Sequence, residues 1–221
     1  MEQLIEELGK PRHCQALELD MTSRNSVATF AGTIAGFGQC LDGAVIMPPQ
    51  PDRTNEPLPE PETWDALFEG SFIGPLAVLK AAISQMRANP AEDRRAKVVI
   101  VSGVSSAQVL GHYATANVLR TAWLAEAKTL AFAFGPRGIH VNTVSLGGTL
   151  TPHYLDVLQA RADASGTPLD EFLLSDTENV PLRKYGTPEE AARTIEMLLS
   201  NVSDHLTGIN LLQDGGFTRA Y

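Results

Sequence analysis

Apolar positions along the chain alternate between a helical spacing and short β-branched runs, and the order of these patterns predicts the elements. Leu4, Ile5 and Leu8 share one face of a helical segment that Gly9 would stop. Cys14 to Asp20 (CQALELD) reads as a strand. Ser23 then caps a helix whose apolar residues Val27, Phe30, Ala31, Ile34 and Phe37 recur at helical spacing. Asp42 to Met47 (DGAVIM) reads as a second strand. Pro48 to Pro61 holds six prolines and several charges, which predicts an extended surface loop; its PxxP from Pro48 to Pro51 reads as stiffening rather than as a recognition motif. Trp64 to Met86 predicts a long helix, bent or interrupted at Gly74-Pro75. Lys97 to Val101 (KVVIV) has the character of a strand buried on both faces. Ala116 to Phe134 predicts a helix apolar nearly all round, to be covered on both sides. Ile139 to Ser145 (IHVNTVS) gives another strand, and residues 146 to 186 a partly helical excursion. Thr187-Pro188-Glu189-Glu190 opens a helix with a Thr cap, a first-turn Pro and acids at the positive end of the dipole. Asn210 to Asp214 is a last strand, ending in Gly215-Gly216. Such alternation implies one α/β domain, a doubly wound parallel sheet with helices on both faces.

Composition narrows the function classes. The 221 residues are 43% apolar and 19% charged, enough for a real core. Seventeen Lys and Arg against 26 Asp and Glu leave a net charge of −9, so neither a nucleic-acid partner nor an anionic membrane is expected. The first eight residues are acidic and amphipathic, unlike a signal peptide, and no segment reads as a membrane span; a cytoplasmic location is the expectation. Cys14 and Cys40 have no CxxC spacing and read as reduced, buried thiols. His13, His112, His140, His153 and His205 do not fall at zinc-ligand intervals, so no metal is expected.

Certain segments carry a family resemblance: Leu19-Asp20-Met21-Thr22, Leu41-Asp42-Gly43, Arg137-Gly138-Ile139-His140-Val141-Asn142, and the run from Gly186-Thr187-Pro188-Glu189-Glu190 through Leu206-Thr207-Gly208 to Asp214-Gly215-Gly216. From Met1 to Phe217 the chain resembles the short-chain dehydrogenases/reductases, with the 3-oxoacyl-[acyl-carrier-protein] reductases as typical members. The resemblance implies a Rossmann-like α/β fold and NAD or NADP as cofactor. It also places Met1 in the helix after the family's first strand, glycine-rich turn, helix and second strand. The implied fold therefore lacks that first unit in this sequence, whether through an alternative start, a shortened sequence or a native loss of the phosphate cradle. Gly32-Thr33-Ile34-Ala35-Gly36-Phe37-Gly38 matches G-x-x-x-G-x-G, yet only residues 39 to 41 separate it from the next strand, so it reads as the end of a helix.

The family's chemistry uses a Ser to polarise a carbonyl, a Tyr to pass the proton, a Lys to lower the Tyr pKa and hold the ribose, and a helix Asn for a proton relay. In the ungapped register from Lys97 to Pro152, Gly103 stands for the Ser, Ala116 for the Tyr and Arg120 for the Lys, while Ser71 replaces the Asn. A gapped register would make Tyr113 the tyrosine but still loses the lysine. Ser102 is a candidate hydroxyl beside the site, as are Ser105 and Ser106. The family's Asn-Asn-Ala-Gly strand end appears as Ile46-Met47-Pro48-Pro49, whose prolines lack N–H donors. By resemblance Asp20 stands near the adenine, and Gly147 and Thr151 on the nicotinamide side, with Leu146 replacing a proline; a strand-end cap, a tight turn and a helix cap would retain the same three residues for structural reasons alone. Arg120 cannot pass a proton; it reads either as an ion-pair partner of a neighbouring acid or as a planar grip on a carboxylate or phosphate. Residues 152 to 185, with Tyr154, Leu155, Leu158, Phe172, Leu173 and Leu174, form the substrate excursion. Helices 64 to 88 and 116 to 134 correspond to the family's dimer surface. The expectation is thus a catalytically degenerate homologue, binding NAD, NADP or no cofactor, that works as a subunit of a homo-oligomer or of a hetero-oligomer with an intact homologue. The alternative is an active NAD(P)-dependent enzyme using Tyr113, and a third possibility is a cofactor-free enzyme or small-ligand binder using the residual cleft and Arg120.

Overall fold

A computed structural model of the chain describes residues 14 to 38 and 40 to 219. The expected helical segment at residues 1 to 9 lies outside them. Helix α1 (Arg24–Ala35) begins at Ser23, whose hydroxyl accepts from the Ser26 N–H. Strand β1 (Gly43–Ile46) follows. Helix α2 (Pro61–Phe68), a single π turn (Glu69–Ile73) and helix α3 (Gly74–Ser84) then run on as one bent element. After β2 (Ala96–Gly103) come α4 (Ala114–Phe134), β3 (Ile139–Leu146), α5 (Pro152–Ser165), α6 (Leu169–Asp176), α7 (Pro188–Leu199) and β4 (Asn210–Gln213). Helix α7 carries the predicted cap as a full reciprocal box between Thr187 and Glu190.

The four strands are all parallel, in the order β1-β2-β3-β4. Every residue of β2 is buried. Val98, Ile100, Ile139 and Val141 pack toward α1, α3 and α4, whereas Val99 and Val144 pack toward Leu198 of α7. Helices therefore cover both faces, and the strands' carboxyl ends and their loops gather at one edge.

Three expectations are corrected. Cys14 to Asp20 is extended but is not a strand, because no neighbouring strand lies beside it among the described residues to complete its ladder. Cys14 is exposed and Cys40 half-buried, both free, rather than buried. The continuous helical run Pro61–Ser84 spans 24 residues with a mean hydropathy of 1.5 in its most apolar stretch, so by length and composition it could cross a membrane. Its buried residues Val78, Leu79 and Ile83 belong to the core against the sheet.

The bend at Gly74-Pro75 has a traceable cause. Pro75 has no N–H to offer the Ser71 carbonyl four residues earlier, and its ring crowds that carbonyl. The helix widens into the π turn just before it. The freed Ser71 carbonyl accepts the indole N–H of the buried Trp123 at 2.9 Å, tying α4 to the bend. Ser71 thus serves here as an acceptor through its backbone. Replacing Trp123 by Phe would keep most of the ring's volume and leave this carbonyl without its donor, so we expect a loss of about 1–3 kcal/mol in urea denaturation.

At the opposite end of the sheet, the buried Lys97 ammonium donates to Ser203 Oγ at 2.9 Å, to the Ser200 carbonyl, and to Asp204 Oδ1 at 2.6 Å. The Lys97 hydrogen bond and charge, with Arg95 and His140, hold Asp204 below the ordinary carboxylate range. A depressed native pKa gives stability that is present above the unfolded value, about 3.9, and lost as pH falls through the folded one. Asp204→Asn should therefore melt at a lower temperature than the parent at pH 7, and the gap should close below about pH 4.

Candidate functional site

A cleft of about 760 Å3 opens over the carboxyl ends of β1, β2 and β3, the edge where open α/β sheets bind ligands. Its walls come from the proline-rich loop after β1, from the β2–α4 connection, and from the segment between β3 and α7. Thr54 fixes the proline-rich loop: its N–H donates to the His112 carbonyl at 3.1 Å and its carbonyl accepts from Ala114 N–H at 3.0 Å. That bridge brings Gln50 and Arg53 to the first turn of α4.

The family's catalytic register is physically rebuilt here. A side chain at Gly103 would meet the Arg120 guanidinium, with Cζ and Nη1 each 2.8 Å from the Cβ position. Arg120 therefore fills the space that a serine would use, and the two departures from the family pattern form one packing unit. Ala116 is fully buried and offers only a methyl group. The expected ion pair is absent: among the described residues Arg120 meets no acid. Instead Nη1 donates to Ser105 Oγ at 2.9 Å, and Nε to Gln50 Oε1 at 2.9 Å, with Nη2 on the same oxygen. Burial pushes the guanidinium below its ordinary pKa, opposed by the Tyr113 phenol, and it remains a cation.

Tyr113 lines the cleft beside arginines rather than a lysine. Its ring lies 4.9 Å from Arg120 Cζ and 5.2 Å from Arg53 Cζ, and Arg53 Nε donates to its hydroxyl at 3.0 Å. His112 stacks on Tyr113 at 4.6 Å; burial, then Arg53 and Arg161, hold its imidazole below the usual value and so neutral at pH 7. Ser102 also lines the cleft, but its buried hydroxyl has no partner among the described residues. Ser105 supports Arg120, while Ser106 joins a buried hydroxyl chain, 2.8 Å from Ser145, which in turn donates to Asn210 at 2.8 Å.

The cofactor candidates divide. Gly147 and Thr151 line the cleft: a Cβ on Gly147 would stand 2.8 Å from Asp214 Cα, and Thr151 caps α5 by accepting from Tyr154 N–H at 3.2 Å. Asp20 is not part of the lining. Its carboxylate accepts from the Thr22 side chain at 2.7 Å and the Thr22 N–H at 2.9 Å, which hold its pKa low, and it closes a turn. The glycines of residues 32 to 38 lie at the end of α1 and its cap, with no phosphate cradle among them.

The excursion supplies residues the sequence reading passed over. Asp176 accepts from Arg161 at 2.8 Å and from the Tyr185 hydroxyl, and burial with that bond pushes the Tyr185 pKa far above ordinary phenols. Tyr154 meets Tyr185 edge to face at 5.7 Å. Tyr154 was read as lining, but Tyr185, Arg161, Asp176, Arg53 and Gln50 carried no motif. For the loop pair, the one available signal was position, directly after a strand's carboxyl end.

Because Gly103 and Arg120 share one space, their substitutions should couple. Gly103→Ser alone would overpack the site at about 1–3 kcal/mol, and a smaller Arg120→Lys partner should recover about 1 kcal/mol or more in a double-mutant denaturation cycle.

A family model described as enoyl-(acyl carrier protein) reductase matches residues 1–218. Cyclohexanol dehydrogenase of Rhodococcus sp. is 32% identical over 170 residues, covering 76% of this chain and 58% of the relative, so the chain spans less than two thirds of that protein. A short-chain oxidoreductase from Pseudomonas aeruginosa PAO1, described as NADPH bound and containing an atypical catalytic center, shares 23% identity with a TM-score of 0.82, covering 100% of this chain and 82% of that one. The 3-ketoacyl-(acyl-carrier-protein) reductase of Brucella melitensis, complexed with NADH, shares 20% identity with a TM-score of 0.76, covering 98% and 82%. With the parallel sheet, the flanking helices and the cleft in view, these matches agree: the chain belongs to the short-chain dehydrogenase/reductase family of oxidoreductases.

Proposed function

We propose that this chain is a catalytically degenerate family member that acts as a structural or regulatory subunit, in a homo-oligomer or with an active homologue. The observation that carries the reading is the Arg120 guanidinium packed on Gly103 above the buried Ala116. A guanidinium stays protonated at any working pH, so it neither relays a proton nor frees one, and a methyl group carries none. The assembly side of the reading rests on the π turn and α4, where Ile73, Val118 and Phe132 remain exposed, Phe132 to 78%. Covering them would favour association by an amount that scales with the apolar area removed from water, roughly 25 cal/mol per Å², most of it from Phe132.

The Pseudomonas and Brucella proteins are described with NADPH and NADH, which supports NAD or NADP as the ligand class of the cleft. The fit is partial. Gly147 and Thr151 would face a ribose and nicotinamide, but the Arg120 guanidinium is taken up by Gln50 and Ser105, the β1 end, Ile46-Met47-Pro48-Pro49, offers no side-chain donor, and the described residues hold no glycine-rich strand-to-helix turn for a diphosphate.

A second reading, an active NAD(P)-dependent enzyme, rests on the Tyr113 phenol, which lines the cleft and takes the Arg53 N–H. One experiment separates the two. Purified chain would be assayed with NADH and NADPH against small ketones and diketones, and its mass measured in solution. We expect no turnover and a dimer or larger assembly. Turnover lost in Tyr113→Phe would establish the second reading instead, and a monodisperse monomer would contradict the subunit role.

A further inference from the structure

We propose that the mouth of the cleft is a binding site for a small organic acid, whose carboxylate lies between Arg53 and Arg120 and whose apolar body lies against Tyr154 and Tyr185. Four observations converge on this. The first is charge. In a chain of net charge −9, neither Arg53 nor Arg120 has a carboxylate partner among the described residues, although partly buried guanidinium groups are ordinarily paired.

The second is that nearby acids are already engaged. Asp176 is held by Arg161 and Tyr185. Asp214 accepts from the backbone N–H groups of Gly216 at 2.9 Å and Thr218 at 2.8 Å. Neither carboxylate forms an ion pair with Arg53 or Arg120.

The third is the geometry of the grip. Arg120 presents Nε and Nη2 together to one oxygen of Gln50, the edge that takes a carboxylate in a forked pair. Gln50 is a neutral, exposed loop residue, so a carboxylate can displace its amide with a gain in charge-assisted bonding. Arg53 stands over the same phenol and extends the cationic field toward Tyr154, 5.9 Å away.

The fourth is the wall. Tyr154, Tyr185, Leu110 and Leu146 line the same cleft and give an apolar surface next to the two charges, which favours an acid with an apolar body over a bare inorganic ion. The site needs neither turnover nor a partner chain, so it stands apart from the subunit reading and can fail without it.

The test uses calorimetry of the whole chain at fixed low chloride, with benzoate, its neutral isostere benzamide, and inorganic phosphate. We expect 1:1 benzoate binding, at least roughly tenfold tighter than benzamide or phosphate, and a similar loss in Arg53→Met and Arg120→Met. Because Arg120→Met removes packing as well as charge, Gln50→Glu is the decisive variant. It is isosteric and exposed, gives up only the amide's bond to the Pro48 carbonyl at 3.0 Å, supplies an internal carboxylate to Arg120, and should weaken benzoate roughly tenfold while the chain stays folded. Equal binding of benzamide, tighter binding of phosphate, or unchanged benzoate affinity in Gln50→Glu would overturn the proposal.

Discussion

Strand β2 has no face toward water, and the architecture follows from that constraint. A parallel strand buried on both sides must have a helix layer above and another below, and each crossover between neighbouring parallel strands must traverse one of those layers. The layers are α1, α3 and α4 on one side and α7 on the other. Their crossovers leave the sheet at the same edge, so residues far apart in sequence, such as Gln50, Arg120 and Tyr185, meet at one cleft. Polar groups there rest on a rigid floor of Val101 to Val104.

On that floor, the departures from the family pattern are linked rather than scattered. An arginine at position 120 needs the volume that a glycine at 103 vacates, and its two free donors need an acceptor, which Gln50 provides from another loop. The result is a self-consistent polar cluster in which the glycine at 103 makes room for the arginine at 120. The Ser102 hydroxyl, which lines the cleft, has no partner among the described residues.

Periodicity made most of the fold legible because apolar spacing and burial coincide. The Ser23 and Thr187 caps, the buried run at Lys97 to Val101 and the Gly74-Pro75 bend all stand where local chemistry places them. Cys14 to Asp20 failed for a non-local reason: a strand exists only with a neighbour, and periodicity within seven residues cannot report one. The candidate site was legible along one motif, so Ser102, Tyr113, Gly147, Thr151 and Arg120 reach the cleft, while Asp20 serves a turn. Gln50, Arg53 and Asp176 stayed hidden because their roles arise from long-range juxtaposition, as in the 70-residue separation of Gln50 and Arg120. The ion pair expected for Arg120 failed for the same reason, since composition suggested an acid and the fold delivered an amide.

The proline-rich segment, Pro48 to Pro61, carries a further meaning. Rings that fix φ deprive the unfolded chain of most of its freedom there, so the entropy surrendered on ordering this stretch is small. Pinned at Thr54, the segment behaves less as a floppy cover than as a splint set against the start of α4. Its two backbone hydrogen bonds, to His112 and from Ala114, fasten this outlying strip of chain to the start of the helix it braces.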